Sequence, residues 1–398
     1  MHRFSIIFLL FCSAVFASDT LQNIRLVWTE NPQNYATIVW ESNDKTKSDF
    51  VKLWEEGSSP SIFSASEVKA YDNSYANRRK KKEDADKIED QWFFRHVKLV
   101  GLKPSTKYFL TAHSAGKISR KLYFTTAPED ERTFKLLYVG DSRTRVDVAA
   151  QISQQLGEIA AKDPEVLAVI HGGDFANAPI LSDWRPWLAA WDKTTGKDGK
   201  LLPIIPVAGN HEQIRHSKMF GQAYGFPDGD NFCYSCDLSP HFRIAVLNSE
   251  IPATGFQEDF LKKTLDKYKS QKVKWQLAAF HRPVFPAIKK PGALKRLIPL
   301  FEKYKIDLVL ESDGHCIKRT VPIQNGKKDK AGVVYLGEGG FGAPQRTPKE
   351  LWYLQEPGFA SKGDHHMELR VSSKSIDYQT LSEKGKLLDS YSFKPRKR

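Results

Sequence analysis

The sequence predicts an all-β sandwich followed by a strand-rich α/β domain, and three observations carry that expectation. At 398 residues the chain exceeds one ordinary domain. From Leu21 to about Pro128, apolar residues recur at period two, as they do in half-buried strands. From Phe134 onward, short continuous apolar runs end in polar residues and are separated by stretches of helical spacing, the pattern of sheets covered by helices.

Residues 1–17 read as a targeting segment. His2 and Arg3 precede an apolar core from Phe4 to Phe11, and Val15-Phe16-Ala17 fits a signal-peptidase site before Ser18. Phe11-Cys12 lacks the small residue expected before a lipidated cysteine, so the expectation is export, secreted or periplasmic, rather than anchoring. No other stretch is apolar for long enough to span a bilayer. The expected domains are therefore 18–128 and 129–398. The chain's composition, 40% hydrophobic and 27% charged, is that of a soluble globular protein. A net charge of +13 suits acidic or phosphorylated partners, but the basic residues are scattered and only Lys394 to Arg398 is dense. After the leader, Cys233, Cys236 and Cys316 remain. In an oxidising compartment the Cys-x-x-Cys pair is a candidate for a small disulfide, with Cys316 left free.

In the first domain, Ile24 to Thr29, Ala36 to Glu41 and Phe50 to Glu55 alternate as strands, followed by F-F-R-H-V-K-L-V, K-Y-F-L-T-A and K-L-Y-F-T-T. Leu102-Lys103-Pro104-Ser105-Thr106-Lys107-Tyr108 resembles the L-x-P-x-T-x-Y turn of fibronectin type III sandwiches. The resemblance implies a tyrosine corner, with the Tyr108 hydroxyl bonded back to the backbone a few residues upstream. Arg78 to Asp90 is too charged to bury and reads as a long surface loop. Thr126 to Asp130 reads as the linker.

In the second domain, F-K-L-L-Y-V-G-D ends at Asp141, and Val148, Ile152, Leu156 and Ile159 follow at helical spacing. The central stretch is V-L-A-V-I-H-G-G-D-F-A-N, Val166 to Asn177. It is an apolar strand, then two glycines that permit a sharp turn, then a carboxylate. Asp174 is thus expected at the carboxyl end of a buried strand, where open α/β sheets place their ligands. Further strands are expected in L-P-I-I-P-V-A-G-N-H-E, F-R-I-A-V-L-N-S, W-Q-L-A-A-F-H-R-P, I-D-L-V-L-E-S-D-G-H and G-V-V-Y-L-G-E-G-G. Helices are expected near Phe256 to Tyr268 and Ala293 to Tyr304, and M-E-L-R-V-S and S-I-D-Y-Q-T form an antiparallel meander at the end.

Five apolar runs end in metal-type ligands: Gly140-Asp141, Gly173-Asp174, Gly209-Asn210-His211-Glu212, Phe280-His281 and Asp313-Gly314-His315. One Gly-Asp alone is usually a turn, but five in order are hard to explain as capping. The set resembles the calcineurin-like metallophosphoesterase superfamily, whose motifs run GD, GDxx, GNH(D/E), H and GHxH, over roughly Phe134 to Thr380. With the sandwich in front, it is similar to the purple acid phosphatases. This resemblance implies a four-layer αββα domain and a dinuclear metal site. Asp141 and His315 would hold one ion, Asp174 would bridge both, and Asn210, His281 and Asp313 would hold the other. The ions would be drawn from iron, manganese, zinc and magnesium. His211 is the candidate proton donor to the leaving group.

Three departures from the family pattern stand out. Purple acid phosphatases have tyrosine three residues after the bridging aspartate, and here that position is Asn177. Without a phenolate the purple charge-transfer band is not expected, and Asn177 becomes either a weak ligand or a hydrogen-bond partner of the site. The last motif aligns in two ways, with His315 as either the first or the second histidine of GHxH. The second alignment places Asp313 at the first histidine and puts Lys318-Arg319-Thr320 on the family's following x-Arg. It keeps an ion-binding group at every position and favours harder ions over zinc. Finally, where the family commonly has a further histidine beyond H-x-P, this chain offers only Lys289 and Lys290.

Other residues have simpler readings. Arg143 is either a phosphate contact or a member of an ion pair. Trp184, Trp187 and Trp191 form a stripe of helical spacing that belongs in a core, Arg319 braces its loop, and His365 and His366 satisfy backbone groups. The function expected is hydrolysis of phosphomonoesters by an exported enzyme. The alternatives are a phosphodiesterase or nucleotidase, or a non-catalytic surface binding protein on the same fold. The expected partner is a small phosphorylated substrate, nucleotides included, rather than nucleic acid.

Overall fold

The computed structural model describes residues 21–397 apart from 44–47, 73, 75–91, 214–216 and 272. The expected leader, 1–17, and the whole of the charged stretch Arg78 to Asp90 lie outside the described residues. Two large sheets face each other. The first has ten strands, ordered from one edge as Leu387–Phe393, Ile376–Ser382, His365–Val371, Phe134–Val139, Val166–His171, Ile204–Pro206, Arg25–Val27, Tyr35–Ser42, Phe93–Val100 and Glu67–Ala70. The second has seven: Tyr234–Ser239, Phe242–Val246, Trp275–Ala279, Leu308–Glu311, Val334–Gly337, Ile317–Arg319 and Phe359–Ser361.

The strands that end in candidate ligands are the buried ones. Val166–His171 runs parallel to both Phe134–Val139 and Ile204–Pro206. In the other sheet Trp275–Ala279 and Leu308–Glu311 are also parallel. Parallel strands covered on both faces must be apolar throughout. Leu136, Val169, Ile170, Ile205, Leu277 and Leu310 accordingly have no measurable exposure. Parallel neighbours also place their carboxyl ends together, so the polar residues after each apolar run gather along one edge.

Helices cover the outer faces. Val146–Lys162 buries Ile152, Leu156 and Ala160, and Leu181–Asp192 buries Trp184, Trp187 and Trp191. On the other side, Leu261, Leu265 and Tyr268 of the helix Phe256–Ser270 pack with Phe301 against Ala245, Ala278 and Val309. The result is the four-layer arrangement of helix, sheet, sheet and helix. The terminal meander gains a third strand, Leu387–Phe393, which its mixed sequence did not reveal.

The amino-terminal part is a β-sandwich. Its second sheet pairs Phe50–Glu55 with Ser61–Ser64 and Lys107–Ser114, and the latter also with Leu122–Thr125. The Lys103 amide donates to the Tyr108 hydroxyl at 3.0 Å, forming the tyrosine corner. One feature lay beyond sequence reading. The sandwich's other sheet is continuous with the ten-stranded sheet through the parallel pairing of Val27 with Ile204. The expected linker is buried at Thr126 and Ala127, and the Gln33 amide donates to both Pro128 O and Asp237 O. Period and composition do not encode such long-range pairing. Cys233 and Cys236 are both free thiols. No helix among the described residues is long and apolar enough to cross a membrane.

Candidate metal centre

Glycine precedes Asp141 and Asp174 for a steric reason. A Cβ on Gly140 would lie 2.2 Å from Ser312 Oγ of the facing sheet, and Gly173 adopts φ of +94°. The sheets thus approach closely where these strands end. Just beyond, Asp141, Asp174, Asp313 and His315 all take positive φ, between 58° and 68°. Left-handed backbone at non-glycine residues costs about 1–3 kcal/mol each and gathers at functional sites. Here it turns four side chains from two sheets toward one point.

Asp141, Asp174 and His315 present ligand atoms all within 4.8 Å of one another, and so do Asp174, His281 and Asp313. Asp174 belongs to both groups. Asp313 stands with His281, and His315 stands with Asp141, which is the placement required by the alignment with Asp313 at the first histidine. The imidazoles are oriented by their far nitrogens. His281 Nδ1 donates to Gly172 O at 2.8 Å and His315 Nδ1 to Pro344 O at 3.0 Å, leaving both Nε2 atoms to face the carboxylates. His281 Nε2 lies 3.2 Å from Asp174 Oδ1 and 3.5 Å from Asp313 Oδ1; His315 Nε2 lies 3.3 Å from Asp141 Oδ1.

The fit to cations can be tested on the polar atoms left over. Asp141 Oδ1, Asn210 Oδ1 and His281 Nε2 are buried and lack partners of hydrogen-bond geometry among the described residues. Buried lone pairs without donors are costly, and a cation satisfies several at once. Three carboxylates, an amide oxygen and two imidazoles form a donor set suited to first-row divalent or trivalent ions. The residues fit the group.

Glu212 braces this arrangement from beneath. It is fully buried and accepts from Asp174 N and Gly209 N at 2.9 Å and from Phe175 N at 2.8 Å. It thereby joins the bridging loop to the Asn210 loop. Burial and the Asp174 charge push its carboxyl up to about 8. Asp174 and Asp313 are shifted the other way. Burial pushes both up, but the adjoining His281, together with His211 at Asp174 and Lys289 at Asp313, holds them well below the usual carboxylate range.

Around the ligands stand cationic and polar groups. Arg143 Nε donates to Asp174 Oδ2 at 3.2 Å, and its Nη2 lies 3.3 Å from His315 Nε2. Lys289 is paired with Asp313 Oδ1. Asn177 Oδ1 accepts from the Thr144 hydroxyl at 2.8 Å. Its carbonyl accepts from His211 Nδ1 at 2.5 Å, which leaves His211 Nε2 facing Asp174 Oδ2 at 3.7 Å. The His211 amide also donates to Asp174 Oδ1 at 3.1 Å. Trp184, Trp187 and Trp191 lie in the core around Phe175 and His171, away from solvent. Arg319 makes a two-pronged pair with Asp389, and His365 Nδ1 donates to Gly363 O.

Sequence reading missed Arg346, which donates to Asp313 O at 3.2 Å from a loop without periodicity, and Ser312, wedged between Gly140 and Gly172. The S-D-G-H segment was a visible signal for Ser312; Arg346 had none.

Residues 21–126 match the purple acid phosphatase N-terminal domain, and residues 134–316 match the calcineurin-like phosphoesterase family. Purple acid phosphatase 23 of Arabidopsis thaliana is 23% identical over 303 residues, covering 66% of this chain and 65% of the relative. Purple acid phosphatase 15 of the same plant is 21% identical, covering 66% of this chain and 56% of the relative. The chain therefore matches less than two thirds of the length of these relatives. Among solved structures, a purple acid phosphatase from yellow lupin seeds superposes with a TM-score of 0.77 at 17% identity, covering 95% of this chain and 75% of that one. PhoD superposes with a TM-score of 0.63 at 11% identity, covering 95% and 91%. At such identities these structures establish the fold.

Proposed function

The chain belongs to the calcineurin-like phosphoesterase family, with the purple acid phosphatase N-terminal domain in front, and from that premise we propose that it hydrolyses phosphomonoesters with a pair of metal ions. The observation that carries this reading is the sharing of Asp174 between two ligand groups. Asp141 and His315 would hold one ion, and Asn210, His281 and Asp313 the other, with Asp174 between them. When bound, such a pair supplies an acidified water as nucleophile and offsets charge on the phosphate oxygens.

The remaining steps belong to side chains. Arg143, already directed at the ligand groups, binds and orients the phosphate through charge-assisted hydrogen bonds. His211 holds its Nδ1 proton on Asn177 O and offers Nε2 toward the site, so that a proton on Nε2 reaches the departing alkoxide. Asn177, itself held by the Thr144 hydroxyl, orients His211 through its own carbonyl. Asp313 in place of an imidazole supports harder ions such as manganese, iron or magnesium. The leader-like residues 1–17 support export, secreted or periplasmic.

The test is a panel of chromogenic phosphate monoesters and diesters run with several metals. Monoester turnover that requires added metal is expected. Turnover confined to diesters, or unaffected by chelation, would overturn the reading.

A further inference from the structure

We propose that Lys318, which no step above uses, is a positioning residue for the His281–Asp313 half of the cation pair. With Glu311 and Glu338 it forms a buried charged triad that fixes the loop running from His281 to Lys289. This rests on the proposed reading of the centre as a two-cation site.

Lys318, Glu311 and Glu338 have no measurable exposure. The Lys318 ammonium pairs with Glu311 and donates to Glu338 Oε1 at 2.8 Å and to Phe285 O at 2.9 Å. Both carboxylates then turn to the same loop. Glu311 Oε1 accepts from Val284 N at 2.7 Å and Glu338 Oε1 from Ala287 N at 2.8 Å. Three main-chain groups within residues 284–287 therefore end on one triad. The loop needs such anchors, because no regular element lies between Ala279 and Ala293 and prolines at 283 and 286 remove two donors.

The triad also reaches the opposing ligand segment. His315 N donates to Glu338 O at 2.7 Å and Glu338 N to Cys316 O at 2.9 Å. The loop that begins at His281 and carries Lys289, the partner of Asp313, is thus bound to the segment carrying Asp313 itself. Burying three charges where apolar side chains would pack is rarely a source of stability. Its consequence here is one fixed geometry, with both carboxylates aimed at loop amides. Asp141 and Asp174 come from the other sheet, where Glu212 holds the Asp174 amide, and His315 is tied to the Glu338 main chain rather than to the triad's side chains, so the Lys318 charge bears on the His281–Asp313 half alone.

The experiment uses the full chain and manganese alone, followed by titration calorimetry, with Asp313→Asn marking which class of site is the second. Lys318→Met keeps the side chain's length and removes its charge. It should weaken the class marked by Asp313→Asn by roughly 10–100-fold, the range for residues that orient ligands, and leave the other class within about threefold. Equal weakening of both classes, or of neither, would overturn the assignment. Glu311→Gln keeps an acceptor for Val284 N and serves if the methionine variant does not fold; about tenfold selective weakening is expected, and a change within about threefold would overturn the assignment. Amide exchange in residues 284–289 of metal-free protein separates this inference from the reading of the centre. Should the native chain bind no manganese, the two-cation reading fails, while exchange about tenfold faster in the variant still supports the triad's hold on the loop. Unchanged exchange would remove it.

Discussion

In the proposed reaction Asp174 would carry more than any other residue, because it belongs to both ligand groups while its amide is held by Glu212. Asp174→Ala should therefore abolish binding of both metals and hydrolysis together; turnover retained in the variant would rule out the bridging role. Asp313→Asn keeps an oxygen donor and removes a charge, so it should weaken one metal class and spare the other. His211→Ala should retain both metals and lower turnover by about 10²–10⁴-fold, read from kcat with metal content measured in parallel. At this scale the sequence was most legible. Each candidate ligand follows an apolar run, and glycine beside a carboxylate marks a turn that close approach of two sheets demands. Arg346 and the anchoring of Asn177 by Thr144 were not legible, because they depend on loops whose course no local pattern records.

Elements hold these residues through two kinds of packing. Phe175, beside Asp174, is fully buried among His171, Trp184, Trp187 and Tyr224. Phe175→Ala should cost about 3–5 kcal/mol in denaturant unfolding, the usual result of emptying an aromatic site in a core. A loss below about 1 kcal/mol would mean that the helix Leu181–Asp192 does not clamp this loop. At the far side of the sheet Glu368 is held at about 2: burial pushes its carboxyl up, but the adjoining His366, the Lys135 ammonium and the Gln379 amide outweigh it. A carboxyl depressed on folding stabilises fully above its unfolded value near 4.3, and that stabilisation is lost as pH falls toward 2. The difference in melting temperature between the native chain and Glu368→Gln should thus shrink from pH 5 to pH 2. A constant difference would deny Glu368 this role. The strands and helices themselves followed from period and length. The short strands Ser61–Ser64 and Glu67–Ala70 did not, being exposed, polar and defined by their partners.

Over the whole molecule, the sheet that crosses from the sandwich into the phosphoesterase layers couples the two parts. Val27 pairs with Ile204 four residues before Ala208 and the Gly209-Asn210 turn, so the sandwich abuts the strand that presents Asn210. One cooperative thermal transition is expected by calorimetry; two well-separated transitions would show the sheet to be mechanically divided there. The sequence showed a change of pattern near residue 130 and suggested two separable units, because pairing between residues so far apart leaves no periodic trace. Two cations sharing Asp174 are the premise of the proposed activity. Metal analysis of the purified chain after incubation with manganese and removal of the excess tests this directly. About two equivalents per chain, falling to none in Asp174→Ala, is the predicted result. An unaltered chain that retains no metal, or a variant that retains as much as the native protein, would contradict it.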